Sequence, residues 1–206
     1  MYQHSYQLYG ANCPNNHNKA NYMAKSPALS QFGKELRICR TAGFQLLSVT
    51  TLDPKRLHSE LGAFHAKTGC PIVYWDINSQ FHITSSLASQ VDFDNLSAYL
   101  PDITKTQSQP HPMTGPLPIQ ALDYIALQGK TADVLFVLLN FHPFLNDSSA
   151  VRTRLQTLFT RNQFAGGMGD KNWAHTVLFA HPVSKLHPEV AHLIEPIQLA
   201  LPSFHE

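Results

Sequence analysis

Asp133-Val-Leu-Phe-Val-Leu-Leu-Asn-Phe-His-Pro-Phe-Leu-Asn146 is the stretch whose reading decides the fold. Six apolar residues, Val134 to Leu139, run without a break and end on the polar Asn140. An unbroken apolar run of strand length reads as a strand buried on both faces, the pattern of a parallel sheet covered by helices. Asn140 then stands at the strand's carboxyl end, the edge on which open α/β sheets bind their ligands.

Outward from this strand the chain alternates between the two periods. Phe32, Leu36 and Cys39 or Arg40 share one side of a short helix over residues 30–41. Gly43 opens an extended run, Phe44–Thr50, which stops at Asp53-Pro54, a helix start with Asp as N-cap and Pro in the first turn. Leu57, Leu61, Phe64 and Thr68 recur at helical spacing, and Gly69 supplies the stop. A second strand follows over Cys70–Asp76, with Gln80–Thr84 as a hairpin extension. Pro101, Pro110, Pro112, Gly115 and Pro116 make residues 85–116 loop-like. A helix near Pro118 buries Ile119, Leu122 and Ile125 ahead of the central strand. Beyond it, His142-Pro143 reads as a turn, and Asp147 caps a helix with Val151, Leu155, Leu158 and Phe159 inside. A glycine-rich loop over residues 165–173 leads to a strand at His175–Ala180, a short helix at Pro188–Leu193 and a last strand at Pro196–Leu201.

Strands alternating with helices predict an α/β fold: a mostly parallel five-stranded sheet with helices on both faces, joined by right-handed crossovers. Residues 1–28, rich in Asn, Tyr, Gln, Lys and Pro, read as an N-terminal arm, and residues 29–206 as a single α/β domain. At 206 residues the chain buries roughly 70% of its unfolded surface and needs no staples.

Composition narrows the function classes. Charged residues make up 14% of the chain, against about 25% in ordinary domains, and the formal net charge is +1. That balance gives no general drive towards nucleic acid or an anionic membrane. Cys13, Cys39 and Cys70 are odd in number and far apart, so no disulfide framework follows. No signal-peptide run and no membrane-length apolar stretch is visible, and the expected location is the cytoplasm.

The motifs that would carry chemistry are mostly missing. A nucleotide-hydrolysing P-loop needs glycines, a Lys and a Ser or Thr directly after the first core strand. This chain has Thr51-Leu52-Asp53-Pro54-Lys55-Arg56, without glycine and with an aspartate that repels phosphate. At the end of the central strand, where such proteins carry a Mg²⁺-binding aspartate, stands the amide of Asn140. The cluster Gly166-Gly167-Met168-Gly169 has the wrong spacing and lies between a helix and a strand, so it reads as a connection. Twelve histidines raise the question of metal, but His58 and His65 lie two turns apart, and His181, His187 and His192 follow no local zinc pattern. No nucleophile elbow is present. No catalytic residue, cofactor or metal is therefore expected. Asp76, Asn140, His142 and Phe144 remain as the residues of an interaction or ligand edge at the carboxyl ends of the strands.

Four stretches carry a resemblance: Gly43-Phe-Gln-Leu-Leu-Ser-Val-Thr-Thr-Leu-Asp-Pro-Lys-Arg56, Thr68-Gly-Cys-Pro-Ile-Val-Tyr-Trp-Asp-Ile77, Leu135-Phe-Val-Leu-Leu-Asn-Phe-His-Pro-Phe-Leu145 and Phe179-Ala-His-Pro-Val-Ser-Lys-Leu-His-Pro-Glu-Val190. In order and content they resemble the N-terminal region of the AAA+ ATPases named after hypothetical chloroplast open reading frame forty-six, over roughly residues 30–203. The resemblance implies a P-loop-like region without a usable phosphate loop, followed in the family by a complete AAA+ module. Two departures bear on activity. The family commonly has Asp at the place of Asn140, and the present sequence ends at Glu206, about where that module begins. The family's ATPase label does not carry over to these residues.

The expectation is a non-catalytic domain that binds a protein partner, an AAA+ ATPase supplied by another chain. Alternatives are a small-ligand sensor or enzyme using Asp76, Asn140 and His142, and a truncated remnant of an AAA+ ATPase.

Overall fold

A computed structural model describes residues 28–82, 117–127, 134–165, 175–183 and 185–199. The proposed arm, the 85–116 connection and nearly all of the glycine-rich loop fall outside these residues. Helix α1 (Gln31–Thr41) starts at Ser30, whose hydroxyl accepts from the Gly33 N–H, and it buries Phe32, Leu36 and Cys39. Strand β1 (Leu46–Thr50) leads to α2 (Pro54–Thr68). The start of α2 is the one expected: Asp53 Oδ1 accepts from Arg56 N–H at 3.0 Å, and Pro54 opens the first turn. Gly69 ends it in the left-handed region at φ 68°, donating to the His65 carbonyl.

Strand β2 (Ile72–Asp76) and β3 (Gln80–His82) form a hairpin, and α3 (Leu117–Leu127) precedes the central strand β4 (Leu135–Leu139). Two helices come next, α4 (His142–Asp147) and α5 (Ser149–Ala165). Strand β5 (Thr176–His181), α6 (Pro188–Ala191) and β6 (Glu195–Ile197) complete the described elements.

Among the described residues the sheet has six strands in the order β3-β2-β4-β5-β1-β6, correcting the expected five. All pairings are parallel except β2 with β3. The extra strand is the hairpin arm: Asp76 accepts from the N–H groups of Asn78 and Ser79, and the turn it closes brings Gln80–His82 back along β2. A second correction concerns Asp147. It is the last residue of α4, and Ser148 Oγ accepts from Val151 N–H at the start of α5. His142-Pro143, expected as a turn, opens α4, because a proline in the first turn has no N–H to leave unpaired.

Alternate strand residues point into two cores. Leu47, Val49, Ile72, Tyr74, Leu135, Val137, Leu178 and Ala180 pack under α1 and α2. Val73, Trp75, Phe136, Leu138, Val177 and Phe179 pack under α3, α4, α5 and α6. Topology explains the division. From β1 to β2 the chain crosses the sheet one way, and from β2 through β4 and β5 to β6 it moves the other way. Right-handed crossovers running in opposite directions place their helices on opposite faces.

Candidate functional site

Strands β1 and β5 are neighbours, yet β1 exits to α2 on one face and β5 exits to α6 on the other. This reversal is the topological switch point, and the crevice beyond the carboxyl ends there is where an open α/β sheet binds ligands. Thr50 ends β1 with Thr51 next to it, His181 ends β5, and Asn140 directly follows the adjacent β4. The backbone joins these ends tightly. Thr51 N–H donates to the His181 carbonyl at 2.9 Å, and Asn140 N–H donates to the Ala180 carbonyl at 2.8 Å.

The turn between β1 and α2 is self-contained. Asp53 N–H donates to Thr51 Oγ1 at 3.0 Å while the Asp53 carboxylate takes the Arg56 N–H. A carboxylate thus occupies the helix end at which a phosphate would be held. Leu52 at the tip of this turn is 86% exposed.

The four residues singled out in the sequence reach different surroundings at this edge. Asp76 is bound into the β2–β3 turn, with His82 Nδ1 3.7 Å away. Burial pushes its carboxyl up, but the backbone N–H groups of Ser79 and Asn78, the Ser79 hydroxyl and His82 together hold it below the usual range. Asn140 is exposed and left-handed, at φ 53°. Phe144 is half-buried, 5.5 Å from the Phe141 ring and 6.3 Å from Trp75, centroid to centroid. His142, also half-buried, lies with its ring centroid 5.9 Å from that of His181.

The backbone at Asn140 carries a direct prediction. Asn tolerates the left-handed region and Gly more so, whereas a β-branched residue does not. Asn140→Gly is expected to melt within experimental error of the wild type, and Asn140→Val to lose about 1–2 kcal/mol.

His181 is the residue that the sequence did not single out for this edge. It is 3% exposed. Its Nδ1 lies 2.6 Å from the Val183 carbonyl oxygen, which only accepts, so Nδ1 carries the proton. Nε2 then holds a lone pair, buried and without a partner, and His142 Nδ1 is likewise buried and unpartnered. One signal was available: His142-Pro143 and His181-Pro182 follow two of the most apolar strands of the chain.

Burial pushes the His181 imidazole below its ordinary pKa, and His142 pushes the same way against the opposing hydrogen bond to Val183. An unfolded chain therefore takes up a proton near pH 6.5 that the folded chain refuses. The associated stability is complete above that pH and is lost as pH falls through the lowered folded value. Denaturant melts between about pH 7 and pH 5 are expected to show this acid loss, and His181→Gln to remove its contribution to the slope.

Among the described residues no group of three or more His, Cys, Asp or Glu is placed to hold a metal ion. Nor, among them, is any helix long and apolar enough to cross a membrane. Cys39 and Cys70 are buried thiols, and burial, followed by Glu35 and Glu195, raises the Cys39 thiol.

Residues 32–199 match the family model described as SpoVK-like AAA ATPase, N-terminal domain. No curated protein matches the chain.

Proposed function

The chain belongs to the SpoVK-like AAA ATPase N-terminal domain family, and from that premise we propose that it is a non-catalytic, partner-binding or regulatory domain. The partner is an AAA+ ATPase module, carried on the same polypeptide or supplied by another chain. Within the family we place it beside the proteins named after chloroplast open reading frame forty-six, on the strength of the four stretches quoted above.

The observation that carries this reading is the turn after β1. Thr51-Leu52-Asp53 contains no glycine, and the Asp53 carboxylate fills the start of α2. Hydrolysis of a nucleoside triphosphate at this edge would place phosphates against that negative charge. The edge also carries two exposed aliphatic side chains. Leu52 is 86% exposed beyond β1 and Ile77 is 42% exposed beyond β2, with α4 at the end of β4. Exposed aliphatic side chains on a rigid edge suit a protein contact. The two buried thiols, Cys39 and Cys70, suit a reducing cytoplasm, where we place the domain.

The test has two parts. The purified chain alone is expected to show no saturable Mg-ATP hydrolysis. Affinity capture from its native cytosol, with and without Mg-ATP, is expected to recover an AAA+ ATPase, and Leu52→Asp to weaken that recovery. Saturable hydrolysis by the isolated chain would overturn the non-catalytic reading. Undiminished capture by Leu52→Asp would move the contact off this edge.

A further inference from the structure

We propose that His142 and His181 form an open, two-histidine site for a divalent transition-metal ion of the zinc type, with solvent in the remaining coordination positions.

His181 is held in one orientation. Its Nδ1–H donates to the Val183 carbonyl at 2.6 Å, which fixes the ring and leaves the lone pair on Nε2. A backbone carbonyl holding the far ring nitrogen is the usual support behind a metal-binding histidine. The ring is 3% exposed, and its Nε2 meets no donor. A buried polar atom without a partner costs about 1–3 kcal/mol. A second such atom, His142 Nδ1, lies on the neighbouring ring. A metal ion satisfies both, with His142 held as its Nε2–H tautomer.

Distance agrees with this. With Zn–N bonds of about 2.0–2.1 Å, two imidazoles on one tetrahedral ion have ring centroids about 5 Å apart. Here they are 5.9 Å apart, so closure on an ion needs a movement of about 1 Å. His142 sits in the first turn of α4 and is half-buried, so it is the ring free to make that movement. The ligand type sets the class of ion. Neutral imidazole suits zinc, copper and nickel, whereas calcium and magnesium take oxygen ligands. The position matters too. His181 ends the strand at the topological switch point, so the pair lies at the edge where this fold receives ligands.

The experiment uses the full, untagged, metal-free chain titrated with zinc chloride. It is followed by calorimetry and by long-range ¹H–¹⁵N spectra of the imidazoles. His181 Nε2 and His142 Nδ1 are expected to leave the lone-pair region of the spectrum together, in step with one binding event. His142→Ala should weaken that event by at least about tenfold, since even outer-shell changes at metal sites cost 10–100-fold. His192→Ala, at an exposed histidine beyond α6, should leave it unchanged. If His181→Gln fails to fold, the wild-type spectra and His142→Ala still decide. Zinc binding that moves neither nitrogen, or that survives His142→Ala intact, would overturn the site. So would both nitrogens staying in place at zinc saturation, the result for a pair bridged only by water.

Discussion

Phe141→Ala is expected to cost about 3–5 kcal/mol, the range for removing a fully buried aromatic ring. Phe141 is 0% exposed at the junction between β4 and α4. Its ring meets Trp75 at 5.2 Å, Phe144 at 5.5 Å and Phe179 at 5.8 Å, so one side chain joins β2, α4 and β5. Edge-on and tilted aromatic pairs of this kind add about 0.5–1.5 kcal/mol each beyond the area they bury. The cavity left by alanine is walled by strands that are held in register and cannot collapse into it. Thermal melts should show a fall of about 6–20 °C, and Trp75, losing its neighbour, should shift its emission to the red. Phe144→Leu, at a half-buried ring on the same cluster, should cost far less. Equal losses from the two would mean that Phe141 is not the centre of this packing.

Arg152→Met is the second large effect, at about 2–3 kcal/mol. The Arg152 side chain is 10% exposed and its head joins three elements. Nε donates to Glu189 Oε2 at 2.6 Å in α6, and Nη1 donates to the carbonyls of Leu145 at 3.2 Å and Asn146 at 2.9 Å in α4. Methionine keeps the apolar stem but abandons both carbonyls at the end of a helix, where no N–H remains to take them. Asn146 is tied from the other side as well, its Oδ1 accepting from His187 N–H at 2.8 Å. The loss should therefore appear as faster amide exchange in residues 142–147 as well as a lower melting point. Glu189→Gln should do much less, because Glu189 is 55% exposed and its pairing with Arg152 competes with water. The hydrogen bond from Arg152 holds the Glu189 carboxyl below its ordinary range. Whatever it contributes is present above about pH 4.5 and goes as pH falls through the lowered value. If Glu189→Gln proves as damaging as Arg152→Met, the ion pair outweighs the carbonyl bonds and this ranking is wrong.

Much of the architecture was legible because it rests on local signals. Asp53-Pro54 and Gly69 bound α2 where the chain places them, and the spacing of Leu57, Leu61 and Phe64 gives its buried side. The unbroken runs of β2, β4 and β5 correctly announced strands covered on both faces. Local signals failed where several residues compete for one role. Asp147, Ser148 and Ser149 are all of types that cap helices, and Ser148 takes the role because α4 runs on through Asp147. His142-Pro143 suits a turn or a first helical turn equally well until Leu145 finds its place in the core. The short edge strands β3 and β6 are weak for a similar reason. Each is three residues long and exists by pairing with a longer neighbour.

The candidate site divides along the same line. That polar residues at the ends of β2 and β4 lie on one edge follows from the sequence alone, since parallel strands all present their carboxyl ends to the same side. So does the turn after β1, because Asp53 and the lack of glycine can be read directly. Strand order was decided only in the tertiary structure. It set β5 between β4 and β1, made their boundary the switch point and brought His181 beside His142. Periodicity tells a strand which faces to bury, but its neighbour is chosen by side-chain packing between segments far apart in the chain.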